Sequence, residues 1–287
     1  MLLQISSSRM AGYLFLFLFT AFFSGVHAQT TPPKPVYVSY SYLKTLPGKF
    51  DAYDSLLRNY SKKIVDREIK DGNYLQWSVY EVLMPTGEQA DHNVVVIVVS
   101  HKLDQLLDPP GTAKEVFAKN FPELSEAKRA GIMSGYGTNR TLVKKEIYSV
   151  ISSTGENGPP TKTPAKYVQV DYMTPVAGKE QDYVKMETET FKPVHLERIK
   201  LGAAKGWVML GKILPGDTND PAPFVTVNFY DNFDGMMDGK YNEAVKKAHP
   251  NTDADKLFAS IGTVKKGQRI EVWKLMMTDT MQGTAAK

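Results

Sequence analysis

A stretch of this chain returns 130 residues after its first appearance. YVSYSYLKTLPGKFDAY, beginning at Tyr37, reappears as YVQVDYMTPVAGKEQDY, beginning at Tyr167. In register, Tyr37, Val38, Tyr42, Gly48, Lys49 and Tyr53 fall on Tyr167, Val168, Tyr172, Gly178, Lys179 and Tyr183. The same offset carries Ile69, Gly72, Trp77 and Pro85 onto Ile199, Gly202, Trp207 and Pro215, and Asp104 and Asp108 onto Asp234 and Asp238. Such a chain folds as two copies of one plan. Between the copies, SSTGENGPPTKTPAK (152–166) lacks apolar periodicity and is dense in Gly, Pro, Ser and Thr, the composition of a linker. The expected organisation is a first repeat over 36–151, the linker over 152–166 and a second repeat over 167–278.

The first 28 residues read as a signal peptide. Arg9 precedes an uncharged, mostly apolar run over 11–23, too short to span a bilayer comfortably, and Val26-His27-Ala28 offers small residues for cleavage. The expected mature protein starts at Gln29, is exported (periplasmic or secreted) and keeps no membrane span. Cysteine is absent, so disulfides, thiolate catalysis and a lipidated cysteine are excluded and packing alone holds the fold. The net charge of +4 is spread over Lys-Lys pairs at 62–63, 144–145, 246–247 and 265–266, interleaved with acids. Solvated faces account for these pairs, and no nucleic-acid partner is expected.

Each repeat reads as strand, helix, strand, strand, helix, strand. In the first, 37–44 alternates as a strand until Pro47-Gly48, and Phe50, Tyr53, Leu56, Leu57, Tyr60 and Ile64 form the apolar stripe of a helix ending before Gly72. Strands over 75–83 and 94–99 flank a turn with Pro85 and Gly87; a helical region broken near Pro122 and a strand over 140–148 complete the unit. The second repeat repeats the order, with a helix over about 179–200. This is the split βαβ, ferredoxin-like arrangement, an α+β fold with both helices on one face of an antiparallel sheet. The other face is bare, and a second copy covers it sheet against sheet. Tethering both copies on one chain makes that contact intramolecular. The expected species is a monomer, as an intrachain pseudo-dimer, or a weak homo-oligomer.

This order of elements, the Pro-Gly or Ala-Gly turn before the first helix and the Gly…Trp…Pro signature around the second strand resemble the dimeric α+β-barrel superfamily, over nearly all of the chain after residue 28. That superfamily includes antibiotic-biosynthesis monooxygenase-like, NIPSNAP-like and chlorite-dismutase-like domains. The resemblance implies a pseudo-dimeric barrel. It leaves function open, because members include cofactor-free oxygenases, haem enzymes and binding modules.

No GxSxG, Walker or HExxH motif occurs, and no motif calls for a cofactor or metal. Gly135-Tyr136-Gly137 lacks the strand-to-helix setting of a dinucleotide loop. Asn251, Asp253 and Asp255 alternate like a calcium loop, but Lys256 replaces the required glycine, and capping of the next helix by Asn251 or Thr252 explains them. His92, His101 and His249 read as surface residues. His195 lies on the long helix beside Tyr183, Met186, Thr190 and Val194, with Val65 as its counterpart; it is a structural histidine or, if the chain is a haem protein, the axial ligand.

Strand faces supply the better clue. Val168, Val170 and Tyr172 share one apolar face, assigned here to the helices; Tyr167, Gln169, Asp171 and Met173 share the other. Asn228 lies on the polar face of the third strand, and Arg269, Glu271 and Trp273 share an alternation on the last. In ferredoxin-like order Asp171 neighbours Asn228 and one of Arg269 or Glu271. The matching positions of repeat one, Ser39, Ser41, Val96 and Val98, are far less polar. Two readings follow: a structural network in which Asp171 pairs with an arginine or lysine, or a small-molecule cavity with Asp171, Asn228 and Gln169 as polar anchors and Trp207 and Trp273 as walls. The function expected is binding of a small organic ligand or partner by an exported protein; the alternative is a cofactor-free or haem-dependent enzyme.

Overall fold

Eight strands close into one barrel in the order β1-β3-β2-β8-β5-β7-β6-β4. The computed structural model describes residues 34–87, 90–155, 160–161, 163–217 and 220–281. In repeat one these are β1 (Tyr37–Thr45), α1 (Phe50–Leu56), a π-helical turn (Leu57–Ser61), α2 (Lys62–Lys70), β2 (Gln76–Met84), β3 (Val94–Ser100), α3 (Leu103–Leu107), α4 (Ala113–Asn120), α5 (Glu126–Asn139) and β4 (Arg140–Ser153). Repeat two follows with β5 (Tyr167–Pro175), α6 (Glu180–Lys185), a π-helical turn (Met186–Phe191), α7 (Lys192–Lys200), β6 (Gly206–Leu214), β7 (Phe224–Tyr230), α8 (Phe233–Met237), α9 (Tyr241–Ala248), α10 (Ala254–Ile261) and β8 (Lys265–Thr280). Both repeats belong to one compact unit beginning at Pro35. The expected signal peptide lies outside the described residues, and β4 runs two residues into the expected linker. No helix among the described residues is long and apolar enough to cross a membrane.

Gly48 (φ +70°) and Gly178 (φ +75°) take the left-handed conformation in the turn before the first helix of each repeat, where only glycine is unstrained. That requirement explains the Gly-Lys in both copies. A π-helical turn interrupts the first helix of each repeat at the same place. Pro193 follows it only in repeat two, so proline is not its cause.

Within each repeat the strand order is the ferredoxin-like 4-1-3-2, as β4-β1-β3-β2 and β8-β5-β7-β6. The repeats meet by their edges as well as by their bare faces. β4 bonds β1 over its first part and β6 over residues 147–153; β8 bonds β5 and then β2 over residues 272–280. This double duty accounts for strands of 14 and 16 residues, about twice the usual length or more. Closure leaves no free edge.

The barrel interior corrects one expectation. Val168, Val170 and Tyr172 point into the barrel, not toward the helices, and join Tyr40, Tyr42, Tyr80, Tyr148 and Trp273 in a single core. Alternation shows which residues share a face but not what covers that face; the apolar set is the one sealed between the repeats. Tyr172 Oη donates to Tyr42 Oη across the two repeats at 3.2 Å.

Two carboxylates are buried here at related positions. Glu146 accepts from Tyr148 Oη (2.7 Å) and pairs with Lys212 (2.8 Å) and Lys144 (3.1 Å). Glu271 accepts from Trp273 Nε1 (2.7 Å) and His92 Nε2 (3.1 Å) and pairs with Arg269 (2.9 Å). His92, expected at the surface, is therefore a core residue. Burial alone would raise the Glu146 carboxyl; the bonds from Lys212 and Tyr148 and the charge of Lys144 overcome it and hold the group at about 2. Its folded value lies below its unfolded value, so its contribution is complete above the ordinary glutamate range and is lost as pH falls toward 2. Acid unfolding of Glu146→Gln, followed by circular dichroism between pH 5 and 2, is expected to show a flatter stability loss than wild type over that window.

Candidate functional site

The polar face of β5 looks outward, toward α7, and there the structure opens a cavity of about 450 Å³. Its floor is strand: Gln169, Asp171 and Met173 from β5, Trp207 from β6, Thr226 and Asn228 from β7. Its walls are Glu187 and Phe191 from the π-helical turn, His195 from α7 and Tyr241 from α9. Phe258 and Ile261 from α10 and Lys265 at the start of β8 also line it. The cavity thus lies between sheet and helices, not between the two sheets.

Of the residues singled out from sequence, Asp171, Asn228, Gln169, Trp207 and His195 come together here. Trp273, Glu271 and Arg269 do not. β5 and β8 pair Asp171 with Ile270, which puts Arg269 and Glu271 on the opposite face, inside the barrel with Tyr172. Trp273 is likewise a barrel-core residue. Asp171 accepts from Gln169 Nε2 (2.8 Å) and Asn228 Nδ2 (3.2 Å). Among the described residues it has no ion pair with an arginine or lysine, and the Asn228 amide links it to Arg198.

Sequence reasoning missed Arg198. It is fully buried (0%) and donates in every direction. Nε reaches Gly239 O at 2.7 Å; Nη1 lies 3.0 Å from His195 Nδ1, 3.0 Å from Asn228 Oδ1 and 2.7 Å from Tyr241 Oη; Nη2 lies 3.0 Å from Tyr230 Oη. The guanidinium also sits 3.8 Å from the Tyr241 ring centroid. Among the described residues no carboxylate pairs with it, and the Asn228 amide links it to Asp171. Gly239 belongs to the same clamp, since a Cβ there would lie 2.7 Å from the Tyr241 ring. The spacing of His195 and Arg198, three apart on one helical face, was the available clue.

Burial pushes the Asp171 carboxyl above the ordinary aspartate range, against the Gln169 hydrogen bond, the Lys265 charge and the Asn228 hydrogen bond. Burial, then the charges of Arg198 and Lys265, pushes His195 well below the ordinary histidine range, so the ring is neutral. It lies flat on Trp207, with centroids 4.8 Å apart and planes 12° apart. Glu187 and Lys265 pair across the cavity at 3.1 Å.

The same space in repeat one is filled. Leu57, Val65 and Trp77 stand where repeat two has Glu187, His195 and Trp207, with Val96 and Val98 in place of Thr226 and Asn228; these apolar residues pack into one cluster with Tyr53 and Ile69. The tryptophan is common to both, so it is part of the frame. The polar substitutions around it belong to repeat two alone.

The superfamily that the sequence resembles includes haem proteins, and among the described residues His195 is the only histidine lining the cavity. A histidine that holds iron offers a bare ring nitrogen and donates its other N–H to an acceptor. His195 has the reverse: its protein-facing Nδ1 meets a guanidinium, which can only donate. The residues do not fit an axially ligated haem. Among the described residues, no group of three or more metal-binding side chains occurs elsewhere.

No family model matches the sequence, and neither does any curated protein. Solved structures do match in fold. An anthrone oxidase-like protein is similar over 89% of this chain and 97% of its own, with 12% identity and a TM-score of 0.50. A candidate monooxygenase from Lactobacillus acidophilus is similar over 86% and 97%, with 8% identity and a TM-score of 0.50. Another candidate monooxygenase, from Fusobacterium nucleatum, covers 87% and 95% at 8% identity and a TM-score of 0.50. Identities this low speak for architecture alone, and the architecture of this chain, closed by its own two halves, is that of the dimeric α+β barrels.

Proposed function

We propose that the protein binds a small, largely planar organic molecule in the cavity between β5–β7 and α7. The observation that supports this most is the contrast between the repeats: one copy of the sheet–helix interface is packed with Leu57, Val65, Val96 and Val98, and the other is hollow and polar at the same positions. A structural role alone gives no reason to keep a buried carboxylate whose ionisation the surroundings oppose. Met173, Phe191, Trp207 and Phe258 supply apolar walls for a ring system, and Asp171 a polar anchor, the usual composition of a small-molecule site.

A second reading, catalysis without a cofactor, is favoured by the same carboxylate. A base with a raised proton affinity facing a cavity is suited to taking a proton from an acidic O–H or C–H of the bound molecule. Such a proton transfer is a first step toward reaction with oxygen, and the likeness to an anthrone oxidase-like protein fits it.

Asp171→Asn tests both. Its folded proton affinity exceeds the unfolded one, so Asp171 supports folding at acid pH and that support is lost as pH rises through its folded value. The variant is therefore expected to be more stable than wild type at pH 7, by urea unfolding, with the difference closing toward pH 4. Subtracting wild type from variant removes the opposite pH dependence contributed by His195. A thermal-shift panel of polycyclic phenols and hydroxynaphthoates should give at least one stabilising compound for wild type and a lost or much weaker shift for the variant. Oxygen uptake with a dihydroxyanthrone separates the readings: catalysis predicts a rate that falls about 100-fold or more in the variant, and binding alone predicts no uptake. A variant that binds like wild type and is less stable at pH 7 would make Asp171 a structural residue.

A further inference from the structure

The bond between Arg198 and His195 decides what the cavity is able to hold; this inference rests on reading the cavity as a ligand site. A neutral imidazole carries one hydrogen, on one nitrogen, and the partner of either nitrogen settles which. Here Arg198 Nη1 stands 3.0 Å from Nδ1. Arg198 cannot turn away, being held by Gly239 O, Asn228 and two tyrosine hydroxyls. Nδ1 therefore accepts, and the hydrogen is on Nε2. Turning the ring over would set a C–H against the guanidinium and lose the bond. Among the described residues Nε2 has no protein partner, and the residue lines the cavity.

Other lining groups add to this. Lys265 pairs with Glu187, which leaves part of its donor capacity unused. Tyr241 Oη accepts from Arg198, so its own hydrogen remains to be given. The Asp171 carboxylate already accepts from Gln169 and Asn228, and that of Glu187 from Lys265. The donors left over suit an oxygen on the ligand.

We propose that Arg198 is a positioning residue that holds His195 as a neutral Nε2–H donor, and that the cavity takes a ligand placing a carbonyl, enolate or phenolate oxygen on that N–H, not an iron atom. The ring is then a hydrogen-bond donor for developing negative charge on oxygen, and the ligand's flat body lies against Phe191 and Phe258.

The test begins without ligand, so it is independent of whether one is found. Long-range ¹H–¹⁵N spectra of the full chain near neutral pH, with the His195 signals identified by their loss in His195→Gln, are expected to show a protonated Nε2 and a bare Nδ1. A protonated Nδ1, or an imidazolium, overturns the proposal. In Arg198→Lys the preference is expected to relax toward a mixture; an unchanged tautomer in that folded variant removes the positioning role. Should Arg198→Lys fail to fold, haemin titration of wild type and His195→Gln decides: the expected Soret changes are the same in both, and a band present only in wild type sinks the proposal. With 1-hydroxy-2-naphthoate as the probe, His195→Gln, which keeps an N–H near the Nε2 position, is expected to bind within about threefold of wild type. His195→Asn, which does not reach it, is expected to bind about tenfold or more weakly. Equal losses in both variants contradict the assigned donor.

Discussion

Either half of the chain, produced without the other, is expected to show no cooperative unfolding as a monomer. Residues 35–153 alone would expose Tyr40, Tyr42, Tyr80, Val95 and Tyr148, all buried in the interior shared with repeat two. Burying a large apolar side chain contributes about 1.5–3 kcal/mol, so five such groups represent about 8–15 kcal/mol, as much as the whole net stability of an ordinary domain. The far half of β4 would lose β6 at the same time, leaving a long unpaired edge. Size-exclusion chromatography and urea denaturation of 35–153, of 163–281 and of their mixture provide the measurement. Each half should be unfolded, aggregated or self-paired into a two-copy barrel, and the mixture should recover a single cooperative transition. A half that unfolds cooperatively as a monomer would falsify the account of how the chain is held together.

Replacing Arg198 with methionine is expected to cost about 1–3 kcal/mol, the range for leaving a buried acceptor without its donor, because no carboxylate partner is stranded. The substitution keeps much of the volume and leaves Gly239 O, Asn228 Oδ1 and two tyrosine hydroxyls short of a donor, each worth about 1–3 kcal/mol if nothing replaces it. The hydroxyls can turn to one another, so the losses are not additive. Arg198→Lys retains the charge but has neither the planar fork nor the stacking on Tyr241, and should recover only part of the loss. Urea midpoints at constant slope report both. A change below about 1 kcal/mol in Arg198→Met would mean that the hydrogen bonds around the guanidinium are readily rebuilt without it.

Much of the architecture was readable from the repeat, because Gly48 and Gly178, or Trp77 and Trp207, occupy the same place in a plan used twice. The helical stripe from Phe50 to Ile64 and its counterpart before Gly202 were equally plain, since a three- and four-residue period has one explanation. What covers each strand face was not readable. The set Val168, Val170 and Tyr172 is apolar enough for either neighbour, and only barrel closure settles that it points inward. That reversal also misplaced Arg269, Glu271 and Trp273, whose alternation was correct but whose side of the sheet was not.

The candidate site was half visible. Asp171, Gln169 and Asn228 stood out because Ser and Val replace them in repeat one, and His195 because Val65 does. Lys265, Tyr241 and Phe258 come from segments where the 130-residue offset no longer holds, so no comparison pointed to them. Glu187 and Arg198 were within reach: they face Leu57 and Glu68 under the same offset, but the comparison has force only once the helical face is known to look onto the hollow side. The cap of α10 differs too: Asp253, not Asn251 or Thr252, accepts from the helix N-terminus, at Asp255 N and Lys256 N.

Joining the two copies by a covalent tether removes a constraint that symmetry imposes on every homodimer. In a pair of identical chains, a residue that hollows out or charges one sheet–helix layer does so in both, and the folded state bears that burden twice. Here the first copy remains a densely packed brace, and the second is free to carry an isolated cation and a reluctant carboxylate in its interior. The division of labour between scaffold and pocket follows from connectivity, before any particular ligand enters the question.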